Sequence, residues 1–234
     1  MDYQIIVSLI TLIVLELILG IDNIIFISIL TDKLPKEQRN QLRYWGLGLA
    51  VAFRLGLLAV ISWILKLDNT LFTVFHTDIS GKGIILILGG LFLIWKSTKE
   101  IYLKTESANN NGEPHKSRAV SFKTLLIEII LLDLVFSIDS IITAVGMVKE
   151  LWIMYVAVIV SVGIMLLASK PISDFINRHP SFKILALSFL IMIGIALLGE
   201  GLHFDIPKGY IYFSMAFSFI VNLIQVKTNT LSKP

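Results

Sequence analysis

Residues 16–25 read ELILGIDNII, and residues 133–142 read DLVFSIDSII. At an offset of 117, Glu16 falls on Asp133, Asp22 on Asp139 and Asn23 on Ser140, while Leu17, Ile21, Ile24 and Ile25 meet identical residues. Apolar residues align easily by chance in so apolar a chain. Two acids and a polar residue at matching spacing do not. We read the two stretches as copies of one internal repeat. Each copy lies inside a long apolar run, so its acids fall where water would be scarce.

Composition fits that setting. The chain has 234 residues, 56% of them hydrophobic and only 16% charged, with a mean hydropathy of +0.82. An average soluble domain is about 45–50% apolar and about 25% charged. A soluble enzyme, a disordered tail and a nucleic-acid binder are excluded on these grounds. The net charge of +3 is too small to make a phosphate-binding surface. There is no cysteine, which removes disulfides, thiolate metal sites, iron–sulfur ligation and thiol catalysis.

A membrane helix needs about 20 mostly apolar residues. Seven stretches qualify: 5–30, 45–65, 84–95 and a little beyond, 125–148, 151–168, 184–198 and 210–226. The third is the shortest and spans only if Lys96 snorkels. The first is not a cleaved signal peptide. Its leader Met1-Asp2-Tyr3-Gln4 has no basic residue, Glu16 interrupts the apolar run, and no small-residue cleavage site follows. The expected fold is all-α: a polytopic membrane protein of seven transmembrane helices. Residues 1–100 form a first three-helix repeat and 120–202 a second. Between them 101–119, containing SANNNGEP at 107–114, reads as a flexible cytoplasmic linker. Residues 203–234 add helix seven and a tail.

Three spans per half is an odd number, so the second half enters from the opposite side, as in an inverted-repeat transporter. Lys and Arg number 15 in one set of alternating connections and 4 in the other. The richer set is cytoplasmic, so the N-terminus lies outside and the C-terminus inside.

Five acids fall within spans: Glu16, Asp22, Glu128, Asp133 and Asp139. Each costs roughly 2.5–3.5 kcal/mol at a helix centre on insertion scales, and such residues mark a pathway or relay. The single intraspan arginine, Arg54, cannot neutralise all five. It is read as a counter-charge that holds a carboxylate or occupies an empty cation site, or else as a structural ion pair. If the first and fourth spans cross near the midplane, Glu16 lies level with Asp139 and Asp22 with Asp133, giving four carboxylates in two layers. Six residues separate the acids of one copy by about 120° around a helix. Gly20, or unwinding beside Asp22-Asn23 and Ser137, would be needed to bring both to one face. Glu128 and Asp139, about three turns apart, share a face. Asn23 and Ser140 add neutral oxygens. Carboxylate and carbonyl oxygens suit Mg²⁺, Ca²⁺ and Mn²⁺. The four histidines, at 76, 115, 179 and 203, fall in connections and are read as solvated.

LELILGIDNIIFISIL at 15–30, Leu34-Pro35, Gly46-Leu47 and Arg54 resemble the first half of the TerC family of integral membrane proteins, and IEIILLDLVFSIDSIITAVGM at 127–147 resembles its second signature. The resemblance runs from about Leu15 to Leu202. It implies a seven-span protein related to LysE-type exporters, with manganese export as the associated activity in bacteria and a family name taken from tellurium resistance. It further implies a metal site at Glu16, Asp22, Asn23, Glu128, Asp133, Asp139 and Ser140. The large C-terminal regulatory domains of some relatives have no counterpart in these residues.

The resulting expectation is a non-enzymatic Mn²⁺ exporter of the bacterial cytoplasmic membrane. Its partners are the divalent ion and the bilayer, with Ca²⁺ as the alternative cargo and no permanently bound cofactor. Rival readings are an intramembrane aspartic-protease-like enzyme built on Asp22 and Asp139, and a membrane scaffold in a tellurite-stress response or in secretion. The protease families' Gly-x-Gly-Asp and Pro-Ala-Leu signatures do not occur in the sequence. The charge asymmetry predicts that a reporter fused after Pro234 is active only when it requires the cytoplasm. Activity of a periplasm-dependent reporter there would mean a wrong span count.

Overall fold

The computed structural model describes residues 2–61, 70–74, 77–109, 120–148, 150–204 and 206–231. Its elements are α1 (Asp2–Thr31), α2 (Lys36–Ala59), β1 (Thr70–Val74), β2 (Thr77–Ser80), α3 (Gly81–Asn109), α4 (Phe122–Met147), α5 (Leu151–Arg178), α6 (Pro180–Gly201) and α7 (Lys208–Leu231). Among the described residues, five helices are long and apolar enough to cross a membrane, by length and composition: 3–31, 36–59, 151–178, 180–201 and 209–228.

Local chemistry sets the boundaries. Pro35 halts the turn after α1 in an extended conformation and releases the chain into α2. Pro180 occupies the first turn of α6, where its missing N–H costs nothing. Ser80 Oγ accepts the Gly83 N–H at 3.0 Å and caps the start of α3. The helical fold expected from the sequence carries one small addition: β1 and β2 pair antiparallel, with Val74 opposite Thr77, and the five residues of TLFTV are too short to register beside apolar runs of twenty. One boundary is corrected. The segment read as a linker from residue 101 is helical to Asn109, because the first glycine or proline after Gly90 is Gly112. The rest of that segment, 110–119, lies outside the described residues, as do His76, His115 and residues 62–65 of the second stretch.

The helices pack across the two halves of the chain: α3 along α6, α1 along α5, and α2 against α4. α7 rests on α6. Two apolar clusters fill the bundle. One gathers Leu30, Leu42, Leu93, Leu125 and Leu187. The other gathers Leu12, Leu58, Ile141, Ile153 and Val158. The middle of α1 and of α4 passes between them. The outside is apolar too. Ile6, Ile10, Val14, Ile18 and Ile21 form an exposed stripe on α1, and Phe213, Phe217, Ile220 and Ile224 another on α7. Helices apolar on every side are solvated by lipid.

The α3–α6 crossing is close because glycines meet glycines. A Cβ on Gly90 would stand 2.6 Å from the Gly194 carbonyl oxygen, and one on Gly194 would stand 2.9 Å from that of Gly90. Gly83 and Gly201 repeat the arrangement, at 2.9 and 2.8 Å. Such small-residue contacts let helix backbones approach where no hydrophobic effect drives association. Gly163, by contrast, has nothing within 4 Å of its would-be Cβ. Gly90→Val is therefore expected to cost about 1–3 kcal/mol by overpacking. Gly163→Ala should be neutral or gain up to about 1 kcal/mol of helix propensity. Thermal unfolding of the detergent-solubilised variants checks both.

Candidate functional site

Glu16, Gly20 and Asn23 are spaced i, i+4, i+7 along α1 and form one stripe. Asp133, Ser137 and Ser140 form the corresponding stripe on α4. α1 and α4 are each continuous helices, so the expected unwinding beside Asp22 and Ser137 is absent and the 120° offset stands. It sends Asp139 to a different side of α4 from Asp133. The Asp22 backbone lies in α1, and its side chain lies outside the described residues.

Between the stripes sits Arg54 of α2, 3% exposed. Its Nε–H donates to Ser137 Oγ at 2.9 Å, Nη1 to Glu16 Oε2, and Nη2 to Asp133 Oδ1 at 3.3 Å. Asn23 Nδ2 donates to the same Asp133 oxygen at 3.2 Å, and Ser137 Oγ donates to Asp133 Oδ2 at 3.1 Å. One guanidinium thus ties an acid of each copy, Glu16 and Asp133, into a single network. A planar fork with five fixed N–H groups can do this, and a lysine cannot. Beside it lies a cavity of about 20 Å³ lined by Asn23, Arg54, Asp133 and Met165 among apolar side chains.

The expected two layers of four carboxylates are corrected here. Glu16 shares its cation with Asp133 rather than standing against Asp139. Asp139 lies near Lys82 at the start of α3, with Nζ 3.6 Å from Asp139 Oδ1 and 2.8 Å from Glu200 Oε1 of α6. Glu128 pairs with Lys96 of α3 at 2.5 Å. Glu128 and Asp139 both turn toward α3, at opposite ends of its apolar stretch. Ser140 Oγ donates to the Ser137 carbonyl at 3.2 Å. Among the described residues, no three His, Asp or Glu side chains gather closely enough to hold one metal ion. Arg54 is not alone against the five acids, because Lys82 and Lys96 reach inward from the two ends of the apolar stretch of α3 on their long stems.

Lys82, Lys96, Ser137 and Glu200 are thus site neighbours that the sequence analysis missed. Ser137 carried a signal, being one turn from Asp133 and in register with Gly20. Lys82 and Lys96 bracket the third apolar stretch, each within side-chain reach of it. Glu200 had no signal, since only the packing of α6 on α3 brings it to Lys82.

A second charged group closes the other end of the bundle. Lys33 pairs with Glu100, and Asp32 binds both Lys183 and, at 3.1 Å, Arg39. These residues and Lys104 line an open depression of about 460 Å³. Burial, with the nearby Lys183 charge, holds the Lys104 ammonium below the usual lysine range.

The integral membrane protein TerC family model matches residues 1–234. A UPF0053 protein of Haemophilus influenzae is 51% identical over 230 residues, covering 97% of this chain and 95% of its own. The UPF0053 inner membrane protein YgdQ of Escherichia coli K12 is 51% identical over 224 residues, covering 94% and 93%. The UPF0053 inner membrane protein YoaE of the same organism is 48% identical over 223 residues, covering 95% of this chain but 43% of its own length. No solved structure matches the chain. With acids and an arginine buried in a lipid-facing bundle and relatives of this kind along its whole length, the chain is a multi-pass protein of the bacterial cytoplasmic membrane and belongs to the TerC family.

Proposed function

We propose that this protein is a transporter, not an enzyme, and that it carries a divalent cation, Mn²⁺ first, out across the cytoplasmic membrane. One observation carries the reading: a buried cation, Arg54, is held by carboxylates from both halves of the chain, Glu16 and Asp133. A place in the bilayer that holds a guanidinium with two acids, an amide and a hydroxyl has the charge and oxygen donors that a divalent ion requires. For the ion to bind, Arg54 swings aside, and Asn23 turns its amide to present oxygen instead of nitrogen. Asp22, by its place in the repeat, is the counterpart of Asp139 and belongs beside this centre on the ion's path rather than in it.

The repeat reading gains support from packing. The stripe Glu16-Gly20-Asn23 matches Asp133-Ser137-Ser140 at the offset of 117. For α3 and α6 the offset is 111. It superposes Gly83 on Gly194 and Gly90 on Gly201, and so exchanges the two reciprocal glycine contacts. Exchange of α1 with α4, α2 with α5 and α3 with α6 likewise turns the α1–α5 packing into that of α4 with α2. We read this as a 3+3 inverted repeat with α7 added, all seven helices spanning, N-terminus outside. Lys82 with Glu200 then bars the outer end, and the Asp32, Lys33, Glu100 and Lys183 pairs bar the inner end. Alternating access opens each in turn. Protons are the natural counter-ion, because the carboxylates that release metal can take them up.

Three expectations follow. Arg54→Ala leaves two buried carboxylates uncompensated, a loss of about 3–5 kcal/mol when one partner of a buried pair is removed. Protein level and manganese tolerance should both fall, and Arg54→Lys should restore them only in part, because lysine lacks the fork. Wild-type tolerance in Arg54→Ala would overturn the reading of this residue. Asp22→Asn and Asp139→Asn should insert at normal levels yet fail to protect cells in high manganese, as read by growth and intracellular manganese. Retained efflux in both would remove these two acids from the ion's path. Glu16→Gln and Asp133→Asn should also impair efflux. Unlike the Asp22 and Asp139 variants they should lower thermal stability in detergent, because they break the Arg54 network.

A further inference from the structure

The two halves treat one symmetric position differently. At the offset of 111, α2 superposes on α5 with Tyr44 on Tyr155, Val51 on Val162 and Leu55 on Leu166, and Arg54 falls on Met165. The contacts correspond too. Arg54 lies against Ser137 of α4, and Met165 lies against Gly20 of α1, the residue that matches Ser137 at the offset of 117. One half places a guanidinium beside the centre, and the other places a thioether there.

Met165 is held in that place. It is 3% exposed. A Cβ on Gly20 would come within 2.5 Å of its Sδ, so the glycine lets the thioether end rest directly on α1, and a larger residue there would push that flexible end aside. Gly20 lies between Glu16 and Asn23 on their common stripe. Met165 also lines the same cavity of about 20 Å³ as Asn23 and Asp133. That space admits one water-sized particle, since about 10–15 Å³ suffices for a water. An apolar filler would serve equally well if packing were the only need. The amide and carboxylate beside it give the sulfur a second use.

Oxygen donors alone do not separate Mn²⁺ from Ca²⁺ or Mg²⁺, all of which take carboxylate and carbonyl ligands. A thioether does. Hard ions gain almost nothing from sulfur in exchange for a lost water, transition dications lose less, and thiophilic Cd²⁺ gains most. We propose that Met165 is a specificity-determining residue of the central site, its thioether sharing the cavity with Asn23 and Asp133 and biasing the site toward transition-metal dications and against Ca²⁺ and Mg²⁺. This rests on the cation-transport reading above and narrows its cargo.

The experiment uses the full chain in proteoliposomes, with Mn²⁺ and Ca²⁺ flux measured separately and Cd²⁺ added as a competitor. Leucine conserves volume at a methionine site, so Met165→Leu should keep the fold. It is expected to lower Mn²⁺ flux more than Ca²⁺ flux, so that the Mn²⁺-to-Ca²⁺ preference narrows about tenfold, and to weaken Cd²⁺ inhibition by a similar factor. X-ray absorption at the cadmium edge supplies a readout that needs no variant: Cd²⁺ bound to the wild-type protein should show a sulfur neighbour. With no cysteine in the chain, that sulfur must be a methionine. Mn²⁺ flux with unchanged selectivity in Met165→Leu, or an all-oxygen cadmium shell in the wild type, overturns the role of Met165 and leaves the transporter standing. A wild-type protein that moves neither ion overturns both.

Discussion

A guanidinium and two carboxylates in the middle of a lipid-facing bundle set the terms for the rest of the structure. Each of these groups alone would be costly at that depth. Together with Ser137 and Asn23, which add hydrogen bonds to Arg54 and Asp133, they form a polar network joining α1, α2 and α4. The apolar clusters above and below it hold the helices at the spacing the network needs. A buried ion pair of this kind is weak evidence of net stability, but removing one partner is severe. The network therefore fixes which helices meet and at what level, more than it adds to the total.

The remaining charges follow the same rule at the margins. Lys82 and Lys96 enter from the two ends of the apolar part of α3 and engage Asp139 with Glu200, and Glu128. Lys33, Arg39 and Lys183 bind Asp32 and Glu100 at one end of the bundle. Among the described residues, the protein thus has a neutralised centre flanked by ion pairs rather than a pool of bare carboxylates.

Close backbone contact completes the frame. The Gly90–Gly194 and Gly83–Gly201 approaches bring α3 and α6 together without interlocking large side chains. Contacts of this type resist separation but offer little resistance to sliding. Gly20 performs a different task, giving Met165 a seat beside the polar stripe of α1.

The sequence by itself determined the solvent, the helices and the repeat-like acid motifs. Apolar runs of twenty residues admit only a lipid setting, and five of the seven stretches coincide with helices long and apolar enough to span. The matching spacing of Glu16 and Asp22 with Asp133 and Asp139 was legible because it is one-dimensional. Helix period alone also puts the two acids of each motif on different sides. What no one-dimensional pattern could supply is which cation each acid meets. That depends on packing between helices far apart in the chain: α2 against α4 delivers Arg54 to Asp133, and α6 along α3 delivers Glu200 to Lys82. The short β1–β2 hairpin and the helical continuation of α3 past residue 101 escaped for a local reason, since both are brief segments beside long apolar runs. Only the tertiary structure decided that the acids would part into separately neutralised groups. In lipid an unpaired charge is driven to the nearest opposite one, and nearness is a property of the fold.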